Sequence, residues 1–154
     1  MDLARLFDPA ASPQFAFQPL MREKLLLVAP PMSKLPAQVG LAALANYLMV
    51  LPNAPNAIHS RLDSVLNPRG IRLQVLAEVG AVRTVLALVA TGVGCTVLPE
   101  SALGASGDEA LPCASIGPPS IWNALVLATP KARPATRLSR GTAQLLQELD
   151  FRQR

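Results

Sequence analysis

The chain has 154 residues, 51% hydrophobic and 16% charged, a length that suits one ordinary domain or two small lobes. Its longest apolar stretch, residues 85–98, is broken by Thr91, Gly92, Gly94 and Thr96, short of the roughly 20 apolar residues that a membrane-spanning helix needs. The net charge of +4 comes from residues 131–154, which hold Lys131, Arg133, Arg137, Arg140, Arg152 and Arg154 against Glu148 and Asp150; with 4% aromatic residues, this is a basic C-terminal segment and not a base-stacking surface.

The opening MDLARLFDP lacks the basic segment, apolar core and small-residue cleavage site of a secretory signal, so a cytosolic location is expected. Residues 2–8 read as a short edge strand closed by Pro9 and Pro13. FAFQPL alternates large apolar residues with small or polar ones and reads as extended. Leu25, Leu26, Leu27 and Val28 form a second, fully buried strand, stopped by Pro30 and Pro31. Residues 32–40 are expected to be a crossover, 41–47 a short helix and 48–52 a buried strand ended by Pro52.

The clearest helix follows. Ile58, Leu62, Val65 and Leu66 fall on one face of a 3.6-residue period, Asn53 or Asn56 can cap its start, and Pro68 with Gly70 ends it. Residues 72–79 read as a strand. Val82, Val85, Leu86 and Val89 have helical spacing, so 82–91 is expected to be a helix with Gly92 as its stop, and GCTVLP is the next strand. The segment 102–119 is rich in Gly, Ala and Ser and reads as loop with one short helical turn. Residues 121–130 read as a strand in which Trp122 packs, and RLSRGTAQLLQELDF reads as an amphipathic closing helix. Strand–helix–strand–helix–strand over 48–98 predicts a doubly wound α/β unit with parallel neighbours.

The chemistry-bearing residues are few. Gly92-x-Gly94 stands after a helix and before a strand, the reverse of a phosphate-cradling loop, and no Lys-Ser/Thr pair follows. His59 is the sole histidine, which leaves no triad and no metal-ligand spacing; Cys95 and Cys113 both read as small buried hydrophobes. No enzyme, metal or cofactor is predicted. What remains is positional: ligands of parallel α/β sheets bind beyond the carboxyl ends of the strands, where helix N-termini favour anions. Two such ends are Pro52, Asn53, Asn56, Ala57 and Ile58 on one loop and Gly80, Ala81, Val82 and Arg83 on the other, with the third strand ending at Pro99–Ser101 on the same rim.

The stretches PLMREKLLLVAPP, LMVLPNAPNAIHSRLD, EVGAVRTVLALVATGVGCTVLPESAL and NALVLATPKARP resemble the effector-binding domain of LysR-type transcriptional regulators over nearly the whole chain. That resemblance implies a type 2 periplasmic-binding-protein-like fold with two Rossmann-like lobes: residues 1–30 and 118–150 in an incomplete first lobe, 31–117 in the second, and 151–154 a tail. It also implies a small, often anionic effector held between the lobes at the loops named above, homo-oligomers or hetero-oligomers with LysR-type chains through a helix at 56–67, and DNA contact only through an N-terminal helix-turn-helix that this sequence lacks. The sequence departs from the family pattern at Ala81, where many members are polar, at Arg83, where some have proline, and at Pro68. A chain that begins partway through its first lobe is expected to be poorly soluble or to associate when expressed alone. The alternative is a stand-alone small-molecule-binding module that joins a full-length regulator.

Overall fold

The computed structural model describes residues 4–7, 13–53, 57–104 and 110–130. The chain forms two compact units, Met1–Arg22 with Ala124–Arg154 and Glu23–Asn123. The closing amphipathic helix expected near the C-terminus lies outside the described residues.

In the first unit β1 (Ala4–Phe7) runs antiparallel to β8 (Trp122–Pro130), with Ala4 opposite Ala128 and Phe7 opposite Leu125. β2 (Phe15–Val28) and β8 both run through the unit boundary. β2 joins the two extended stretches expected separately. Pro19 does not divide it, because a proline removes only one ladder hydrogen-bond donor from a 14-residue strand.

The second unit is a mixed sheet with helices. Its parallel part is the expected one: β4 (Leu48–Pro52) pairs with β5 (Gln74–Val79), and Met49 bridges in parallel to Cys95 at the start of β6 (Thr96–Pro99). Val50 N–H donates to Cys95 O at 2.8 Å and Cys95 N–H to Leu48 O at 2.7 Å, so β6 is laced to β4. β2 runs against this direction, antiparallel to β6 (Leu27 opposite Val97) and to β7 (Cys113–Ile116, Leu27 opposite Ala114). β3 (Gln38–Val39) adds in parallel to β7.

β3 and β7 correct the sequence reading, which had a crossover at 32–40 and a loop at 102–119. Each is short, and β7 buries only Ala114 and Ile116. The helix expected at 41–47 is a 3-10 helix at Ala42–Asn46, too short to close α-helical rings, with Leu44 as its buried residue. Cys113 is exposed, in contrast to Cys95, because alternation along β7 turns it away from the side that Ala114 faces.

α1 (Ala57–Leu66) and α2 (Val82–Ala90) hold their expected places. α1 buries Ile58, Leu62 and Leu66; α2 buries Val85, Leu86 and Val89. α1 gives way to a 3-10 turn at Asn67–Arg69, and Gly70 (φ +68°) turns the chain into β5. At the end of α2, Gly92 takes φ +89°, its N–H donates to Val89 O, and Val93 N–H donates to Leu88 O. This pair of bonds is the Schellman arrangement, which needs a residue at ease in the left-handed region. Gly94 serves a different purpose: a Cβ there would lie 2.8 Å from Leu48 O, so the close seating of β6 on β4 excludes a side chain. α3 (Glu100–Gly104) follows β6 directly.

Candidate functional site

The parallel direction of β4, β5 and β6 puts their carboxyl ends on one edge of the second unit. Asn53 follows β4, and its N–H donates to Val79 O at 2.9 Å, so the first residue beyond β4 is pinned to the last residue of β5. The Asn53 side chain lies over Gly80: a Cβ built on Gly80 would sit 3.8 Å from Asn53 Oδ1. Two loops expected from the sequence to share a ligand therefore meet.

From Gly80 the chain enters α2 through Ala81, whose extended backbone (φ −129°, ψ 134°) makes it the N-cap without a side-chain cap. Ala81 O accepts the N–H of Val85 at 3.1 Å. The preceding first-turn N–H groups have no intrahelical acceptor, which is the local basis of anion attraction at a helix start. Gly80, Ala81 and Arg83 are exposed and Val82 is half-buried. Arg83 adds a cation on the first turn of α2.

On the β4 side, Pro52 is buried and Asn53 exposed, while Ile58 is buried in the core and so faces away from solvent. Ala57 opens α1. Asn56 lies outside the described residues. Thus Pro52, Asn53, Gly80, Ala81, Val82 and Arg83 stand on adjoining loops, while Ile58 belongs to the core.

Two acidic residues that the sequence patterns did not single out brace this edge. Glu23, on β2, accepts from Ser101 Oγ–H at 2.8 Å and from Ser101 N–H at 3.3 Å, fixing the start of α3 at the end of β6. Glu78, on β5, stands 3.4 Å from His59 Nδ1, which also lies 3.3 Å from Pro52 O. Neither link had a local signal, since each joins residues far apart in sequence. Trp122 is tied in at the boundary: its carbonyl accepts from Arg61 Nε–H at 2.9 Å, and Lys24 Nζ lies 5.3 Å from its ring centre.

A separate cavity of about 510 Å³ opens beside α1, floored by the buried Leu51 and Leu66 and edged by His59, Asp63 and Arg72. Among the described residues no group of three or more His, Cys, Asp or Glu side chains could hold a metal ion, and no helix is long and apolar enough to cross a membrane.

A two-unit chain whose parallel strands end together beside helix starts has the architecture of periplasmic-binding-protein-like α/β domains. The comparisons make this specific. The family model described as LysR substrate binding domain matches residues 1–150, and the chain belongs to that family. It is 33% identical over 103 residues to the nitrogen assimilation regulatory protein nac of Klebsiella aerogenes, a match that covers 66% of this chain and 33% of that protein. The match thus spans one third of that relative's length. Its fold is similar to the CcmR regulatory domain of Synechocystis PCC6803, solved in complex with 2-PG, at a TM-score of 0.85 and 17% identity over 95% of this chain and 72% of that one. It is also similar to the effector-binding domain of QuiR, solved in complex with shikimate, at a TM-score of 0.80 and 20% identity over 95% of this chain and 70% of that one.

Proposed function

We propose that this chain is the effector-sensing part of a LysR-type transcriptional regulator, and that it binds a small anionic metabolite at the rim made by Pro52, Asn53, Gly80, Ala81, Val82 and Arg83, extended by Asn56 and Ala57. Residues 31–117 act as the effector lobe, and 1–30 with 118–150 act as its counterpart. Binding, not turnover, is the event: the effector changes how a regulator assembly engages its promoter, and DNA is held by other parts of that assembly. CcmR with 2-PG and QuiR with shikimate are relatives in fold that hold small molecules, which supports this reading.

The observation that carries the proposal is the bond from Asn53 N–H to Val79 O, with the Asn53 amide laid over Gly80. It brings a polar side chain to the uncapped start of α2, where the helix dipole and Arg83 both favour an anion. Calorimetric titration with 2-PG, shikimate and sulfate tests it. At least one should bind, and Asn53→Ala or Arg83→Ala should weaken it about tenfold, the size of one charge-assisted hydrogen bond. Undiminished affinity in both variants, or consumption of the compound by the protein, overturns the reading.

Association is the second element of the reading. β5 is an edge strand that pairs only with β4 among the described strands, yet Val75 and Leu76 on it are 43% and 51% exposed. An exposed apolar edge invites pairing with another chain, and we assign this edge with α1 as the surface through which the chain meets itself or a full-length regulator.

A further inference from the structure

His59 lies where three elements of the effector rim's support converge. From the first turns of α1 its Nδ1 reaches Pro52 O at the end of β4 (3.3 Å) and Glu78 Oε1 on β5 (3.4 Å), and its Nε2 faces Asp63 Oδ2 one helical turn on (3.6 Å). Pro52 is the residue before Asn53, and Glu78 is two residues before Gly80. The ring therefore touches the last turnings of both strands that lead into the rim.

The neutral ring donates on one side only and leaves the half-exposed carboxylate of Asp63 (54%) or Glu78 (47%) to water. With its proton on Nδ1 it donates to Pro52 O and Glu78, but the bare Nε2 then turns a lone pair on the Asp63 carboxylate. With its proton on Nε2 it serves Asp63 and leaves two acceptors facing Nδ1. The imidazolium presents an N–H on both sides, from Nδ1 to Pro52 O and Glu78 and from Nε2 toward Asp63 at 3.6 Å. The side chain is 15% exposed and edges the 510 Å³ cavity, so solvent protons reach it. Among the other charged groups on the packed elements, Arg72 shares the cavity wall, while Arg61 of α1 is bonded to Trp122 O.

We propose that His59 is a proton-linked positioning residue of the rim. Protonation turns the 3.6 Å approach to Asp63 into an ion pair and makes the Nδ1 contacts charge-assisted ones, which are shorter and stronger. Pro52 and Glu78 are drawn toward one point, and Asn53, the residue after Pro52, and Gly80, two residues beyond Glu78, are held together. The rim is therefore expected to tighten as the ring gains its second proton. For effector binding this rests on the rim being the effector site; the coupling of ring to rim does not.

The test is a pH titration of the isotope-labelled full chain by nuclear magnetic resonance, read at the His59 ring and at the backbone amides of Asn53, Gly80 and Ala81. The amides should move with the same midpoint as the ring, and His59→Gln should abolish that step. Asp63→Asn discriminates positioning from simple charge: it leaves the ring's charge in place but removes the anion at Nε2, so the amide step should shrink while the ring still titrates. Amides that ignore the ring, or a step undiminished in Asp63→Asn, overturn the proposal. Sulfate binding at about pH 5.5 and about pH 8 is measured in parallel, since sulfate does not itself titrate there. Tighter binding at the lower pH is expected, and affinity equal at both values overturns the link to the effector. If the amides follow the ring but sulfate never binds, the coupling stands and the rim reading fails.

Discussion

Glu23 and Ser101, 78 residues apart in sequence, form a two-point clasp: one carboxylate oxygen accepts the serine hydroxyl at 2.8 Å and the other its backbone N–H at 3.3 Å. The clasp continues the antiparallel register in which Leu25 faces Pro99, so it is the sheet that delivers the carboxylate to the start of α3. Removing either partner should give the same loss. Glu23→Ala, Ser101→Ala and the double variant form a cycle whose coupling energy should be about 1 kcal/mol, as expected for a partly buried bond to a charged group. Additive losses in urea unfolding would show the clasp to be incidental.

The glycines separate into three classes with different costs. Gly94→Ala places a methyl group 2.8 Å from the Leu48 carbonyl, a backbone atom that cannot swing away, and should cost about 1–3 kcal/mol by forcing β6 off β4. Gly92→Ala meets no atom within 4 Å but must hold φ +89°, and should cost about 1–2 kcal/mol. Gly40→Ala meets neither obstacle and should be neutral or stabilise by up to about 1 kcal/mol through the unfolded chain. Thermal unfolding of the three variants should rank them in that order; a Gly40 variant as damaged as the Gly94 variant would contradict this account.

The legible parts of the fold are those whose signals are local. Val85, Leu86 and Val89 mark the buried face of α2 by spacing alone, and the glycine after that helix takes the conformation its position demands. Family resemblance supplied what spacing could not, the periplasmic-binding-protein-like class of the fold. β7 escaped notice because its buried residues are only Ala114 and Ile116 within a Gly-, Ser- and Pro-rich stretch, and its pairing with β2 is visible only in the folded sheet. At the rim, the loops themselves could be read as strand ends entering helices. Their braces could not, because Glu78 and Glu23 act across elements and their sequence neighbourhoods carry no trace of His59 or Ser101.

The two cysteines should differ sharply in reactivity. Cys113 is exposed on β7, whereas burial pushes the Cys95 thiol above its ordinary value of 9.0, which lowers its thiolate fraction. A chromogenic disulfide reagent at neutral pH should label Cys113 quickly and Cys95 only as the protein opens. The linkage has a definite sign. Because the folded-state value is raised, Cys95 contributes nothing destabilising below the unfolded value, and stability falls as pH rises from there through the folded value. Cys95→Ser should remove that part of the alkaline loss, and two thiols reacting at equal rates in the folded protein would refute the assignment.

The β5 edge offers the most direct test of association. Leu76 is 51% exposed and Leu48, opposite Gln74 on the neighbouring strand, is 42% exposed, so both strands carry an exposed apolar side chain. Leu76→Lys removes little packing from the folded unit, because half the side chain already meets water, and its effect on the unfolding midpoint should stay within about 0.5 kcal/mol. A charge on an edge strand opposes pairing with another chain. Sedimentation of the wild-type chain should therefore show self-association that depends on concentration, and Leu76→Lys should shift it toward the monomer. An unchanged distribution with an intact fold would move the contact surface away from β5.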